Sequence, residues 1–196
     1  MTSNQRGDTL RRTLKLVLPA ALMLGVMLMG ALVYFIPSPR LSDEWPLPSE
    51  RTSFSEFSSV FNSTSLSESG FFLLGYQPVL SLGAGFDFPA GSTAYVYLLG
   101  YGNGTFVQLL VSKFPDAQTS LQFGARALAR MREQLPQDKV RFLYTEEGGY
   151  LHYDAGNQTL SLWYGRSWFF EALISGSEAE KSLSSLKRLI SNAPER

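Results

Sequence analysis

His152 is the only histidine in a chain of 196 residues that contains no cysteine. In an extended segment Tyr150, His152 and Asp154 point to one face, and Leu151 and Tyr153 to the other. A histidine with a carboxylate two residues along has the makings of a general base. A membrane-anchored hydrolase using His152 is therefore one reading of the chain. That reading lacks a nucleophile. Cysteine is absent, and no Gly-x-Ser-x-Gly run lifts a serine on a strained strand-to-helix turn. A histidine standing on the solvated face of a sheet explains the same residues.

Metal and phosphate chemistry find less support. One histidine and no cysteine leave a structural zinc site short of ligands. No run spaces its carboxylates as a calcium loop does, and Glu146-Glu147 reads as a solvated turn. Gly100-Tyr101-Gly102-Asn103-Gly104 has the glycines of a phosphate loop. Such a loop opens a helix whose N–H groups face the anion, whereas here a strand follows. No cofactor is expected.

Contact chemistry is better represented. On a helix beginning after Asp116, Phe123, Arg126 and Arg130 stand off the apolar stripe and form a candidate docking face for a partner. Aromatic residues make up 13% of the chain. Alternation puts Trp163 and Phe169 away from Leu162 and Phe170, an aromatic sheet face for a sugar, lipid or peptide unless helices cover it. Asn62, Asn103 and Asn157 each open an Asn-x-Ser/Thr sequon, a glycosylation site where the organism uses one.

The elements that carry these residues follow from periodicity and punctuation. FFLLGY (71–76) and LSL (80–82) are short pieces suited to a sheet edge. Ala94 to Gly100 and Thr105 to Phe114 form a hairpin about Gly102-Asn103-Gly104. Asp116 caps a helix with Ala117, Leu121, Ala125, Leu128, Met131 and Leu135 as its buried stripe, and Pro136 ends it. Four strands then follow on short turns, Val140–Thr145, Tyr150–Asp154, Thr159–Tyr164 and Ser167–Ser175, which requires antiparallel neighbours. A last helix opens on a Ser177/Glu180 capping box and buries Ala179, Leu183, Leu186 and Ile190. The order ββ-α-ββββ-α specifies an α+β domain, an antiparallel sheet with two helices packed on it.

The stretch from Leu16 to Ile36 is 21 residues long and carries no charge. As a helix it matches a hydrocarbon core of roughly 30 Å. Arg6, Arg11, Arg12 and Lys15 precede it, which places the N-terminus in the cytoplasm and the rest outside. A cleaved signal peptide is the rival, but its apolar core is shorter and it ends in small residues. The expected organisation is a basic cytoplasmic tail (1–15), a transmembrane helix (16–36), a Pro/Ser-rich spacer (37–70) and an extracytoplasmic domain (71–196). Within the spacer, Ser53 and Glu56 have capping-box spacing ahead of Phe54, Phe57, Val60 and Phe61 on one helical face. Beyond the tail lie 13 of the 17 basic and 16 of the 17 acidic residues, a poor match to nucleic acid. The expectation is a single-pass protein of the cell membrane, bound to the bilayer through residues 16–36. It serves as a non-enzymatic binding or accessory domain for a membrane or envelope protein, or else as a structural spacer.

Overall fold

Val, Leu and aromatic residues alternating over short runs build the sheet. The computed structural model describes residues 44–83, 85–102 and 104–193. Its strands are Phe71–Pro78 (β1), Thr93–Tyr101 (β2), Thr105–Lys113 (β3), Val140–Thr145 (β4), Gly148–Asp154 (β5), Gln158–Gly165 (β6) and Trp168–Ser175 (β7). They form one sheet in the order β1-β2-β3-β7-β6-β5-β4, with every neighbouring pair antiparallel. The helices are Phe54–Ser58 (α1), Ser63–Glu68 (α2), Ala117–Gln134 (α3) and Ala179–Ser191 (α4), with a 3-10 turn over Ser59–Phe61. The fold is thus α+β, an antiparallel seven-stranded sheet with helices packed on it.

Much of the sequence reading carries through. The β2–β3 hairpin turns at Gly102 and Gly104, at φ 52° and 87°, a region that favours glycine. Asp116 Oδ1 accepts from the Thr119 N–H at 2.7 Å, and α3 ends just before Pro136. The Ser53/Glu56 capping box is formed at α1 in both directions.

Several expectations change. FFLLGY is a full edge strand with a bulge between Leu73 and Gly75, so the sheet has seven strands rather than six. LSL makes only a single bridge, Ser81 to Asp87. The two long helices lie on opposite faces. α4 packs with Leu109, Trp163, Phe170 and Ile174, whereas α3 packs with Leu110, Leu162, Tyr164 and Phe169. A strand apolar on both faces reads as a nearly continuous hydrophobic run, and Trp168-Phe169-Phe170 is one. That alternation also places Trp163 beside Phe170, with rings stacked at 5.0 Å, and leaves Phe169 on the far face. No capping box forms at α4, where the N-cap is Glu178. The Glu180 carboxylate instead reaches His152.

The stretch read as a spacer to residue 70 is, from residue 44 on, part of the same compact unit as the sheet. Trp45, Phe57, Val60, Phe61 and Leu66 are all buried in the core beneath α4's face. Residues 46–50 run as a strap without helix or strand, and side chains from the sheet satisfy their carbonyls. The indole N–H groups of Trp163 and Trp168 donate to Pro46 and Ser49 at 3.0 and 3.1 Å. Arg166 donates to Leu47 at 2.9 Å, and Lys113 to Glu50 at 2.7 Å. Among the described residues no helix is long and apolar enough to cross a membrane. The expected span, residues 16–36, lies outside them, as does the tail before it.

Candidate functional site

The strand alternation that puts His152 opposite Leu151 turns the histidine inward, towards α4, and leaves it 4% exposed. The expectation of a solvated histidine is corrected, because Trp45 and α4 cover that part of the sheet. His152 Nδ1 lies 2.9 Å from Ser161 Oγ on the neighbouring strand β6. Glu180 Oε1 lies 3.3 Å from Nε2, an ion pair only when the ring is protonated, and Nε2 makes no hydrogen bond among the described residues. Serine, histidine and carboxylate thus meet, but with the ring nitrogens exchanged relative to a hydrolytic triad, in which Nε2 faces the serine and Nδ1 the carboxylate. The nucleophile position is also closed: Ser161 is fully buried. Desolvation holds the His152 pKa below its usual value, against the opposing pull of Glu180. A cleft of about 90 Å³ beside it is lined by Glu44, Arg141, Glu180 and Lys187, whose ammonium lies 3.4 Å from the Trp45 ring centroid. Ser161 and Glu180 come from β6 and α4, and no local spacing in the sequence links them to His152.

The expected docking face on α3 is broken up. Phe123 is fully buried, surrounded by Phe86, Phe88, Phe114 and Phe169 at 4.9–5.3 Å between centroids. The reason is Gly124. A Cβ there would sit 2.1 Å from the Tyr164 ring, so the bare backbone lets this flank of the helix approach the sheet. The buried set becomes Ser120, Phe123, Gly124, Ala127 and Leu128. Arg126 and Arg130 remain exposed, and both guanidinium groups lie over Phe86, at 5.6 and 5.8 Å. Of the sequon asparagines, Asn62 is exposed but is the N-cap of α2, accepting from Ser65. Its Nδ2 donates to the Ser59 carbonyl at 2.7 Å. Asn157 is exposed in the β5–β6 turn, and Asn103 lies outside the described residues. Among the described residues no three His, Cys, Asp or Glu side chains gather as metal ligands.

What sequence reasoning missed is a groove between α1 and the β1–β2 edge, about 520 Å³, lined by Phe54, Ser55, Ser58, Tyr76, Tyr95 and Tyr97 among others. Phe54 stacks on Tyr95 at 5.1 Å and Phe61 on Tyr97 at 4.2 Å. Tyr76 lies 6.3 and 6.0 Å from those two tyrosines and is 63% exposed. No charged side chain lines the groove. Among the described residues the hydroxyls of Tyr76, Tyr95 and Tyr97 have no protein hydrogen-bond partner. Burial, with the two neighbouring phenols, pushes Tyr97 up to about 12, so it stays a neutral donor. The alternation Tyr95, Tyr97 along β2 was the available signal. The covering α1 came from a stretch read as spacer.

No family model matches the chain, and no curated protein matches it. Among solved structures it is similar to a GTP-binding regulator from Thermotoga maritima, with a TM-score of 0.53 and 14% identity over 76% of this chain and 94% of that one. It is also similar to the extracellular domain of PknH from Mycobacterium tuberculosis, with a TM-score of 0.42 and 12% identity over 75% and 96%. At such identities the first likeness concerns the fold alone.

Proposed function

We propose that residues 44–193 are a non-enzymatic binding domain, held on the outer side of a cell membrane by residues 16–36, which engages a membrane or envelope protein. The observation that carries this reading is the open aromatic groove. Among the described residues its three tyrosine hydroxyls have no hydrogen-bond partner, and unpaired polar groups beside exposed aromatic rings are what a binding surface offers. The hydrolase reading loses ground because Ser161, the only hydroxyl hydrogen-bonded to His152 among the described residues, is fully buried.

Two experiments test the proposal. A photo-crosslinking residue at Thr93, which is exposed and lines the groove, is expected to trap a defined protein in the native membrane. The same residue at the exposed Gln118 serves as control. Equal capture at both positions, or none at Thr93, overturns the binding role. Because the chain has no cysteine, Gln118→Cys gives a single thiol. An impermeant maleimide is expected to label it in whole cells, and labelling only after lysis overturns the orientation.

A further inference from the structure

We infer that the groove between α1 and the β1–β2 edge takes a proline-rich peptide segment of a partner protein. This rests on the reading of the groove as the binding site and adds the chemistry of the occupant.

Three observations converge. First, the groove is made of aromatic faces and hydroxyls, with no carboxylate, amide or cationic side chain in its lining. A proline contributes a carbonyl acceptor and a flat apolar ring, and it has no N–H that would need an acceptor. An extended proline-rich chain has no internal hydrogen bonds, so its carbonyls are free to accept from tyrosine hydroxyls. A saccharide would present many hydroxyl donors, for which this lining holds no carboxylate or amide acceptor. A basic or acidic peptide would find no counter-charge.

Second, the protein already holds a segment of this kind on the same face of the sheet. Pro46-Leu47-Pro48 lies across it with indole and guanidinium N–H groups donating to its carbonyls. Phe54 joins the two places, stacking on Trp168 at 6.3 Å and on Tyr95 at 5.1 Å. The row of rings therefore runs on past the internal strap, with tyrosine donors that no described residue occupies.

Third, the groove is aromatic-walled and open where Tyr76 and Leu73 stand on the edge strand, exposed by 63% and 39%. Extended proline-rich ligands use such walls, because their chain is ordered before binding and loses little entropy.

The test uses the full chain in detergent and a fluorescent peptide of repeating Pro-Leu-Pro, with anisotropy as readout. Saturable binding is expected, and an Ala-for-Pro version of the peptide is expected to bind much more weakly. In the Tyr76→Phe/Tyr95→Phe double variant the rings remain and two donors are lost, so affinity is expected to fall about tenfold. An unchanged circular dichroism spectrum and melting point establish that this variant is folded. Equal affinity for both peptides, or for wild type and the folded variant, overturns the inference. If Thr93 still traps a protein while the Pro-Leu-Pro peptide fails to bind, the groove remains a binding site and the proline-rich occupant is wrong.

Discussion

On one face of the sheet, α4, α1, α2 and the strap at 46–50 bury Trp45, Phe57, Trp163, Trp168 and Phe170 almost completely. On the other, α3 covers the β5–β7 side and leaves Phe72, Leu98, Phe106 and Leu173 exposed by 41–58%. Each face also covers a side chain that titrates below pH 8. His152 lies beneath Trp45 and α4, next to Ser161 and Glu180. Glu171 lies beneath α3 in a small cavity with Leu82, Phe86 and Met131, and its Oε2 has no hydrogen-bond partner. A histidine can meet burial by staying neutral at physiological pH. A carboxylate there must either hold a proton or carry a charge that burial penalises and no hydrogen bond to Oε2 offsets, although Arg130 lines the same cavity. Desolvation alone raises Glu171 to about 7. On the closed face a strap from outside the sheet supplies partners to its polar groups, whereas on the open face α3 offers Ser120 to the Trp168 carbonyl and leaves Glu171 Oε2 without a hydrogen bond.

The largest expected effect comes from removing that supply. A chain lacking residues 44–70 loses the strap and the Phe57/Phe61 cluster. It is expected not to unfold cooperatively in urea, and a single cooperative transition would show that residues 71–193 fold without the strap. Next, Trp45→Ala strips the ring that stacks on Tyr150 at 5.0 Å and packs on Trp163 at 5.3 Å. It is expected to cost about 3–5 kcal/mol by equilibrium denaturation.

The two titrating groups then separate the faces by pH. Glu171 has a raised folded pKa, so its penalty is absent below the unfolded carboxylate range. The penalty grows as pH rises towards about 7 and is constant above that. Glu171→Gln is expected to stabilise the protein by up to roughly 3 kcal/mol at pH 8 and to change little at pH 4. His152 has the opposite sign. Its folded pKa is lowered, so its stabilising influence is complete above pH 6.5 and is lost as pH falls below that. His152→Gln is expected to flatten the acid limb of the stability curve, and an unchanged limb would contradict the burial described.

The smallest effect is expected on the open face. Phe106→Ser replaces a side chain 58% exposed and is expected to change stability by no more than about 0.5 kcal/mol. The same change at Phe170, which is fully buried, is expected to approach the Trp45→Ala loss. A similar cost at both positions would mean that something covers Phe106.

Six of the seven strands, the hairpin glycines, the caps at Ser53 and Asp116 and the stop at Pro136 could be read from the amino-acid sequence alone. Each of these depends on neighbours a few residues apart, where backbone sterics and local hydrogen bonds act. Tertiary structure decided which face each helix covers, because Trp168-Phe169-Phe170 is apolar on both sides and periodicity cannot choose between them. It buried Phe123 rather than leaving it with Arg126 and Arg130, since the close approach at Gly124 requires the Tyr164 ring from β6. It joined Ser161 and Glu180 to His152, and Phe54 and Phe61 to Tyr95 and Tyr97. Ser161 reaches His152 through the β5–β6 register, Glu180 through the packing of α4, and the two phenylalanines through the fold-back of residues 44–70.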